Sequence, residues 1–272
     1  VADGTITVIS VDIVNGTMAL STPFGRGQFG YDRDMTYKTL AGLATHPNIA
    51  AVLILSLSLD TAQYLLDLVE PCGKPTQALG LQETGGTLDL TAAGAKIAAQ
   101  LVGEASELQR QARPLSDLVV GVECGGSDAT SGLASNPAVG SFADRLVDEG
   151  GTIVLSEPAE FMGAEHILAQ RAVSEKDKRR IIEMVAWFEN EALRQGLDMQ
   201  KTNPSPDNIA GGLTTLEEKS LGAIAKGGTR PITQTLEYAE QPSQKGLVVM
   251  NTPSAACESM SGLAAGGCQI VI

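Results

Sequence analysis

The chain is poor in several things at once. Aromatic residues make up 4% of its 272 positions, with a single Trp, and there are only two histidines. Basic residues are also short: 19 Lys and Arg against 32 Asp and Glu give 19 − 32 = −13. A nucleic-acid binder needs the opposite surplus to neutralise phosphates, and an anionic membrane surface repels the same charge. The longest apolar run, residues 49–55, is far below the roughly 18 residues of a spanning helix. Val1-Ala2-Asp3-Gly4 has no basic start followed by an apolar stretch, so no signal peptide is expected. Four cysteines, Cys72, Cys124, Cys257 and Cys268, form no CxxC pair, which argues against a zinc ribbon, a thioredoxin motif or a disulfide scaffold. The expectation is a cytoplasmic protein without nucleic-acid or membrane partners, its thiols reduced and acting as small buried hydrophobes.

Glycine, at 30 residues, is abundant. Short runs of Val, Ile and Leu without alternation occur at 50–55, 118–122, 152–155, 247–250 and 269–272. Such runs suit parallel strands covered on both faces. Amphipathic helices are expected between them. One spans about 32–44, one begins with Asp60 as cap, and one runs from Thr91 to about Arg113. A fourth is capped by Ser174 with Asp177 three residues on, and Asn136-Pro137 opens another. The pattern predicts an α/β fold with a predominantly parallel sheet, the 118, 152 and 247 strands adjacent or nearly so. Gln109 to Pro114 marks a boundary, dividing the chain into 1–113 and 114–272. The apolar residues 268–272 read as an interior strand that should deliver the chain to a further connection. The C-terminal region is therefore expected to be truncated, foldable, and weak as an enzyme by itself.

Several motifs could carry chemistry. Gly25-Arg26-Gly27-Gln28-Phe29-Gly30 satisfies GxGxxG, but Asp32 and Asp34 put negative charge where a pyrophosphate would sit. A turn presenting Arg26 and Gln28 to a small acid, or a purely structural turn, fits better. Glu123-Cys124-Gly125-Gly126-Ser127-Asp128 begins where an apolar run ends, a position that favours ligand binding, with a capped turn as the alternative. Ser156-Glu157-Pro158-Ala159-Glu160 follows the next run in the same way. Two carboxylates three residues apart suit a divalent cation, or merely a helix N-terminus. His166, in the helix that follows, reads as a core histidine or a catalyst. The polar stretch 203–215 holds Asn203, Asn208, Thr214 and Thr215, and leads to Leu216-Glu217-Glu218-Lys219-Ser220, a helix start with Thr214 or Thr215 as cap and Glu217 or Glu218 closing a capping box. There Lys219 is an available base or cation, or part of a solvated helix face.

These strings carry a resemblance. Cys124-Gly125-Gly126-Ser127-Asp128, Asn136-Pro137, the 203–207 loop with Gly211-Gly212, and Thr215-Leu216-Glu217-Glu218-Lys219-Ser220-Leu221-Gly222 resemble the altronate/galactarate dehydratase family. So do Met250-Asn251-Thr252-Pro253 and Gly262-Leu263-Ala264-Ala265-Gly266-Gly267. The resemblance covers most of the chain and is strongest from Leu118 onward. It implies a hydro-lyase turning a hydroxylated sugar acid such as altronate or galactarate into a 2-keto-3-deoxy acid. Iron(II) is the implied metal, with manganese or magnesium as substitutes. It further implies a dimerising domain over 1–113, hence a homodimer, and a Rossmann-like C-terminal domain. The family's small β-clip domain has no counterpart here and would be a separate subunit or a missing segment. Early in the chain, Pro23-Phe24-Gly25-Arg26-Gly27-Gln28 replaces a His- and Cys-containing glycine motif of many relatives. A sulfo-lyase acting on sulfolactate is the nearest alternative, and a nucleotide-dependent oxidoreductase or a non-catalytic subunit are the others.

Dehydration of a 2,3-dihydroxy acid removes a proton beside a carboxylate, so the enediolate must be stabilised and a base and an acid supplied. Lys219 and His166 are the expected acid–base pair. Cys124, Glu157 and Glu160 are the expected metal ligands. Arg26, Gln28, Ser127, Asp128, Asn203, Asn208, Thr214 and Thr215 are the expected substrate contacts. Cys124, Asp128, Glu157, Asn208 and Lys219 should line one cleft at the C-terminal edge of the strands.

Overall fold

The structure, a computed structural model, describes residues 14–22, 24 and 27–272. The chain divides between Ala112 and Arg113 into two compact units.

In the first unit, helix α1 (Gly30–Ala44) is followed by strand β1 (Val52–Ser56), helix α2 (Leu59–Val69) and strand β2 (Thr76–Gly80). β1 and β2 pair in parallel from Val52↔Thr76 to Ser56↔Gly80, with α2 as the crossover that a parallel pair requires. Helix α3 (Thr87–Ser106) buries Leu90, Ala98 and Leu101. It starts and ends earlier than its periodicity suggests. Gly86, at φ 123°, provides the sharp entry at the N-cap, and beyond Ser106 the chain is exposed, Leu108 included, so nothing there rewards further helix. Residues 18–21, before the GxGxxG turn, form no strand.

The second unit is one sheet of five parallel strands: β3 (Val119–Val122), β4 (Thr152–Leu155), β5 (Ile232–Leu236), β6 (Gly246–Met250) and β7 (Ile270–Val271), in the order β5-β6-β4-β3-β7. The three strands expected to be neighbours, β3, β4 and β6, lie side by side. β7 pairs only with β3, through Val120↔Ile270 and Gly121↔Val271. It is thus an edge strand with Ile270 half exposed, where an interior strand was expected. β5 escaped the sequence reading because Ile-Thr-Gln-Thr-Leu buries only its ends, as an edge strand does.

Side chains alternate between two apolar layers. Val120, Val122, Ile153, Leu155, Leu247 and Val249 face helices α4 (Asn136–Asp148), α5 (Glu165–Arg171), α6 (Glu175–Arg194) and α7 (Leu216–Ala225). Val154, Val248, Met250 and Cys268 face helix α8 (Ala256–Ala265) through Leu263. Each such fully buried aliphatic side chain contributes about 1.5–3 kcal/mol relative to exposure. Gly121 permits the close approach of α8: a Cβ there would lie 3.0 Å from Leu263 Cδ1. Cys268 is the only buried thiol, its pKa pushed up to about 12 by burial; Cys72 and Cys257 are exposed and Cys124 is intermediate, unlike the uniform burial expected.

The two layers fix where a site can form. The connection after β4 runs through α5, α6 and α7 on one face, while the connection after β6 runs through α8 on the other. Adjacent parallel strands whose connections leave on opposite faces open a crevice at their C-terminal ends.

Candidate active site

Glu157 sits in that crevice, two residues beyond β4. Its backbone is left-handed, at φ 64° and ψ 66°, a conformation costly for a residue with a Cβ. A hydroxyl relay holds it there. Glu157 N–H donates to Thr252 Oγ1 at 2.9 Å, just past β6, and Thr252 Oγ1 shares a 3.0 Å hydrogen bond with Ser259 Oγ of α8. Ser259 Oγ donates to Ser156 Oγ at 3.4 Å, and Ser156 Oγ donates to Val122 O at 2.7 Å. All three hydroxyl residues are buried. The ends of β3, β4 and β6 are thereby tied together around one carboxyl group.

That carboxyl is itself 2% exposed, and Cys124 N–H donates to its Oε2 at 2.6 Å. Burial, reinforced by the neighbouring Glu123 and Glu160 and offset by Lys226 and the Cys124 N–H, pushes its pKa up to about 7. Burial also raises Glu123, against the pull of Lys226 and with a push from Glu160. Glu160 is buried in the helical turn Pro158–Phe161. Lys219 Nζ, from the first turns of α7, lies 2.9 Å from Glu160 Oε2 as an ion pair. It donates to Glu160 Oε1 at 3.3 Å and to Asn203 Oδ1 at 2.8 Å. Glu160 Oε2 receives no hydrogen bond of its own. Three carboxyls and the ammoniums of Lys219 and Lys226 therefore gather in one largely buried region.

The expected substrate contacts divide. Ser127 lies 3.2 Å from Cys124 Sγ, and Ser127 O accepts from Asn208 Nδ2 at 2.8 Å. Ala129 N–H donates to Gly211 O, so the loop after β3 and the 203–215 segment are stitched together. Asn203 is buried against Lys219. The 203–215 segment is not a plain loop. Ser205 and Asn208 form a capping box opening the helical turn Pro206–Ala210, with Pro206 in its first turn. Asp128 Oδ1 accepts from Thr130 Oγ1, Ser131 N–H and Ser131 Oγ, so its carboxylate is committed to the start of the turn before α4, and these bonds hold it below the usual range. Thr215 is the N-cap of α7, accepting from Glu218 N–H, while Thr214 donates to Glu218 Oε2. Asp128, Thr214 and Thr215 thus serve the local backbone rather than presenting free groups.

Other candidates lie elsewhere. His166 is exposed on α5 and makes no hydrogen bond or ion pair among the described residues, so it joins neither the Lys219 pair nor a core. Arg26 and Gly25 lie outside the described residues. Gln28 belongs to the first unit, where α1 begins at Gly30.

The expected metal ligands Cys124, Glu157 and Glu160 are engaged with protein partners. Among the described residues no group of three or more His, Cys, Asp and Glu side chains is arranged to hold an ion. Cys124 faces Ser127 through its sulfur and Glu157 through its N–H, and Glu160 is neutralised by Lys219. Glu123, Lys226, Thr252 and Ser259 were missed by sequence reading. Glu123 and Thr252 carried a signal, each standing within two residues of an apolar strand's end and inside a quoted motif, whereas Lys226 and Ser259 carried none.

Comparison with known proteins places this arrangement in a lineage. Residues 115–272 match the family described as D-galactarate/altronate dehydratase, C-terminal, and residues 2–106 match D-galactarate dehydratase/altronate hydrolase, second domain. The chain is 38% identical over 256 residues to (2R)-sulfolactate sulfo-lyase subunit beta of Chromohalobacter salexigens, covering 93% of this chain and 66% of that protein. It is 35% identical over 258 residues to altronate dehydratase of Bacillus subtilis, covering 95% and 52%. With galactarate dehydratase (L-threo-forming) of Escherichia coli it shares 42% over 159 residues, covering 58% and 30%. The chain spans about two thirds of the first relative's length and about half of the second's. By the match over its entire C-terminal unit, with the crevice residues inside it, the chain belongs to the D-galactarate/altronate dehydratase family.

Proposed function

We propose that the second unit carries a lyase site that dehydrates a hydroxylated sugar acid such as altronate or galactarate to a 2-keto-3-deoxy acid. One observation carries the reading: a buried carboxyl, Glu157, is held in a strained backbone three residues from Glu160, which anchors the Lys219 ammonium, at the crevice of a chain of this family. Strain concentrated at one residue of a strand-end crevice is a mark of a working group.

The chemistry follows from the two groups. Glu157 as carboxylate takes the proton from the carbon next to the substrate carboxylate, and the electron pair moves into that carboxylate as an enediolate. The pair returns to form the carbon–carbon double bond as the β-hydroxyl leaves, and that hydroxyl takes a proton from an ammonium to depart as water. The enol product becomes the 2-keto acid by a shift of its hydroxyl proton to carbon. Lys219 suits the donor's part, because Glu160 and Asn203 Oδ1 hold its ammonium in place. A fixed ammonium also stabilises the enediolate without reorganising.

Elimination of sulfite from a sulfonated hydroxy acid is the second reading, favoured by the 38% identity to a sulfo-lyase subunit over nearly the whole chain. It needs the same proton abstraction, but its leaving group departs without a proton. That relative is named as a subunit, so this reading includes a partner chain. The test incubates the protein anaerobically with C4–C6 sugar acids and with sulfolactate, each with and without iron(II), manganese or magnesium. Keto-acid formation from a sugar acid is expected. Sulfite release from sulfolactate alone would select the second reading, and no product from any acid would overturn both.

A further inference from the structure

Lys226 is an ammonium with nothing to hold. It lies at the C-cap of α7, where its backbone N–H donates to Ala223 O, and is only 6% exposed, yet its ammonium makes no hydrogen bond and no ion pair among the described residues. Its place is fixed by the backbone. The next residue, Gly227, rests on the last side chain of β4, where an added Cβ would be 3.0 Å from Leu155 Cδ2. The side chain stands close enough to Glu123 and Glu157 to influence both carboxyls. A buried ammonium normally demands a paired anion, since an uncompensated one is costly to desolvate. On the other side, Glu123 follows β3 directly and its Oε1 is a buried oxygen without a hydrogen-bond partner. The Lys226 ammonium without a protein partner and the buried Glu123 Oε1 without a donor thus stand in the same crevice, and they do not satisfy each other.

We propose that Lys226 and Glu123 form the subsite for an α-hydroxy carboxylate, the ammonium binding the carboxylate and Glu123 Oε1 accepting a hydrogen bond from the adjacent hydroxyl. The ligand supplies both missing partners, an anion for Lys226 and a donor for Glu123. A plain inorganic anion would satisfy only the first, and a polyol only the second. This deepens the lyase reading and rests on it for orientation: a carboxylate on Lys226 presents its neighbouring carbon to Glu157. Lys226 then specifies the acid end and Glu123 its hydroxyl, while neither moves a proton.

The experiment measures binding by calorimetry with a matched four-carbon series: tartrate, succinate without hydroxyls, and erythritol without carboxylates. The wild-type protein should bind tartrate best and erythritol least. Lys226→Met should weaken tartrate by roughly 10- to 100-fold, the worth of a charge-assisted hydrogen bond. Lys226→Arg, which keeps the charge if the Met variant folds poorly, should retain part of the affinity. Glu123→Ala should bring the tartrate-to-succinate ratio toward one, a change that a merely structural role would not produce. Tartrate binding unchanged in both Lys226 variants, or no preference for tartrate over erythritol in the wild type, overturns the proposal. Lys226-dependent binding without turnover of any acid would uphold it and fault the lyase reading. Turnover with Lys226-independent binding would do the reverse.

Discussion

Replacing Thr252 by Val tests whether the hydroxyl relay positions Glu157. The substitution keeps the shape of a side chain that is 1% exposed and removes only the oxygen. Glu157 N–H then loses its 2.9 Å acceptor in a place water does not reach. An orphaned buried donor costs about 1–3 kcal/mol. Ser259 Oγ keeps its 3.4 Å contact with Ser156, so the loss centres on Glu157. The left-handed backbone of that residue, itself costing on the order of 1–3 kcal/mol, no longer has the bond that holds it and relaxes. A displacement near 1 Å of a reacting group lowers turnover by roughly 100-fold. The expected result is therefore a loss of about 1–3 kcal/mol in urea unfolding, with a larger proportional fall in kcat. Trp187, the single Trp, lies in the second unit and reports its unfolding by fluorescence. Thr252→Ser, which restores the oxygen, should recover most of both. If Thr252→Val matches the wild type in midpoint and in kcat/KM, the relay does not position Glu157 and the reasoning is wrong.

Three further outcomes are expected. His166→Ala should leave kcat/KM unchanged and stability within about 0.5 kcal/mol, as for an exposed side chain without partners; a large activity loss would restore His166 to the site. Gly140→Ala should destabilise by about 1–3 kcal/mol, because a Cβ there would lie 2.2 Å from Ala225 O and force α4 and α7 apart; an unchanged thermal midpoint would contradict that packing. For Asp177, burial raises the pKa, but hydrogen bonds from Ser174 and Thr235 outweigh it and the carboxyl is held low in the folded state. Its stabilising effect is thus complete above the unfolded pKa near ~3.9 and lost as pH falls through the folded value. The stability gap between wild type and Asp177→Asn should be constant at neutral pH and close below about pH 4; a gap that widens in acid would reverse the sign.

How much of this was legible in the sequence depends on what each feature needs. β3, β4 and β6 were readable because central parallel strands must be apolar on both faces, and their runs stand within a residue of the observed elements. The Ser174 cap and the Asn136-Pro137 start were readable because caps are local chemistry. Roles set by partners were not. Asp128 looked like a free polar group and is committed to Ser131 N–H, whereas the α7 cap expected at Thr214 or Thr215 was legible and falls on Thr215. Lys226 drew no reading at all, because nothing local says that a lysine there is enclosed without a partner. Glu157 and Glu160 were picked as a pair, but the ion pair of Glu160 with Lys219 and the bond that holds the strained Glu157 depend on residues 59 and 95 positions away.

The stitching of the two loops limits how this chain can change over generations. Asn208 Nδ2 to Ser127 O and Ala129 N–H to Gly211 O bind the segment after β3 to the segment before α7, although 81 residues separate the first pair. Insertions are usually tolerated in surface loops, since lengthening a loop costs little entropy. Here a residue added to either segment shifts its half of both bonds out of register. The two lengths are therefore inherited together, and a descendant that remodels one segment must remodel the other in the same lineage.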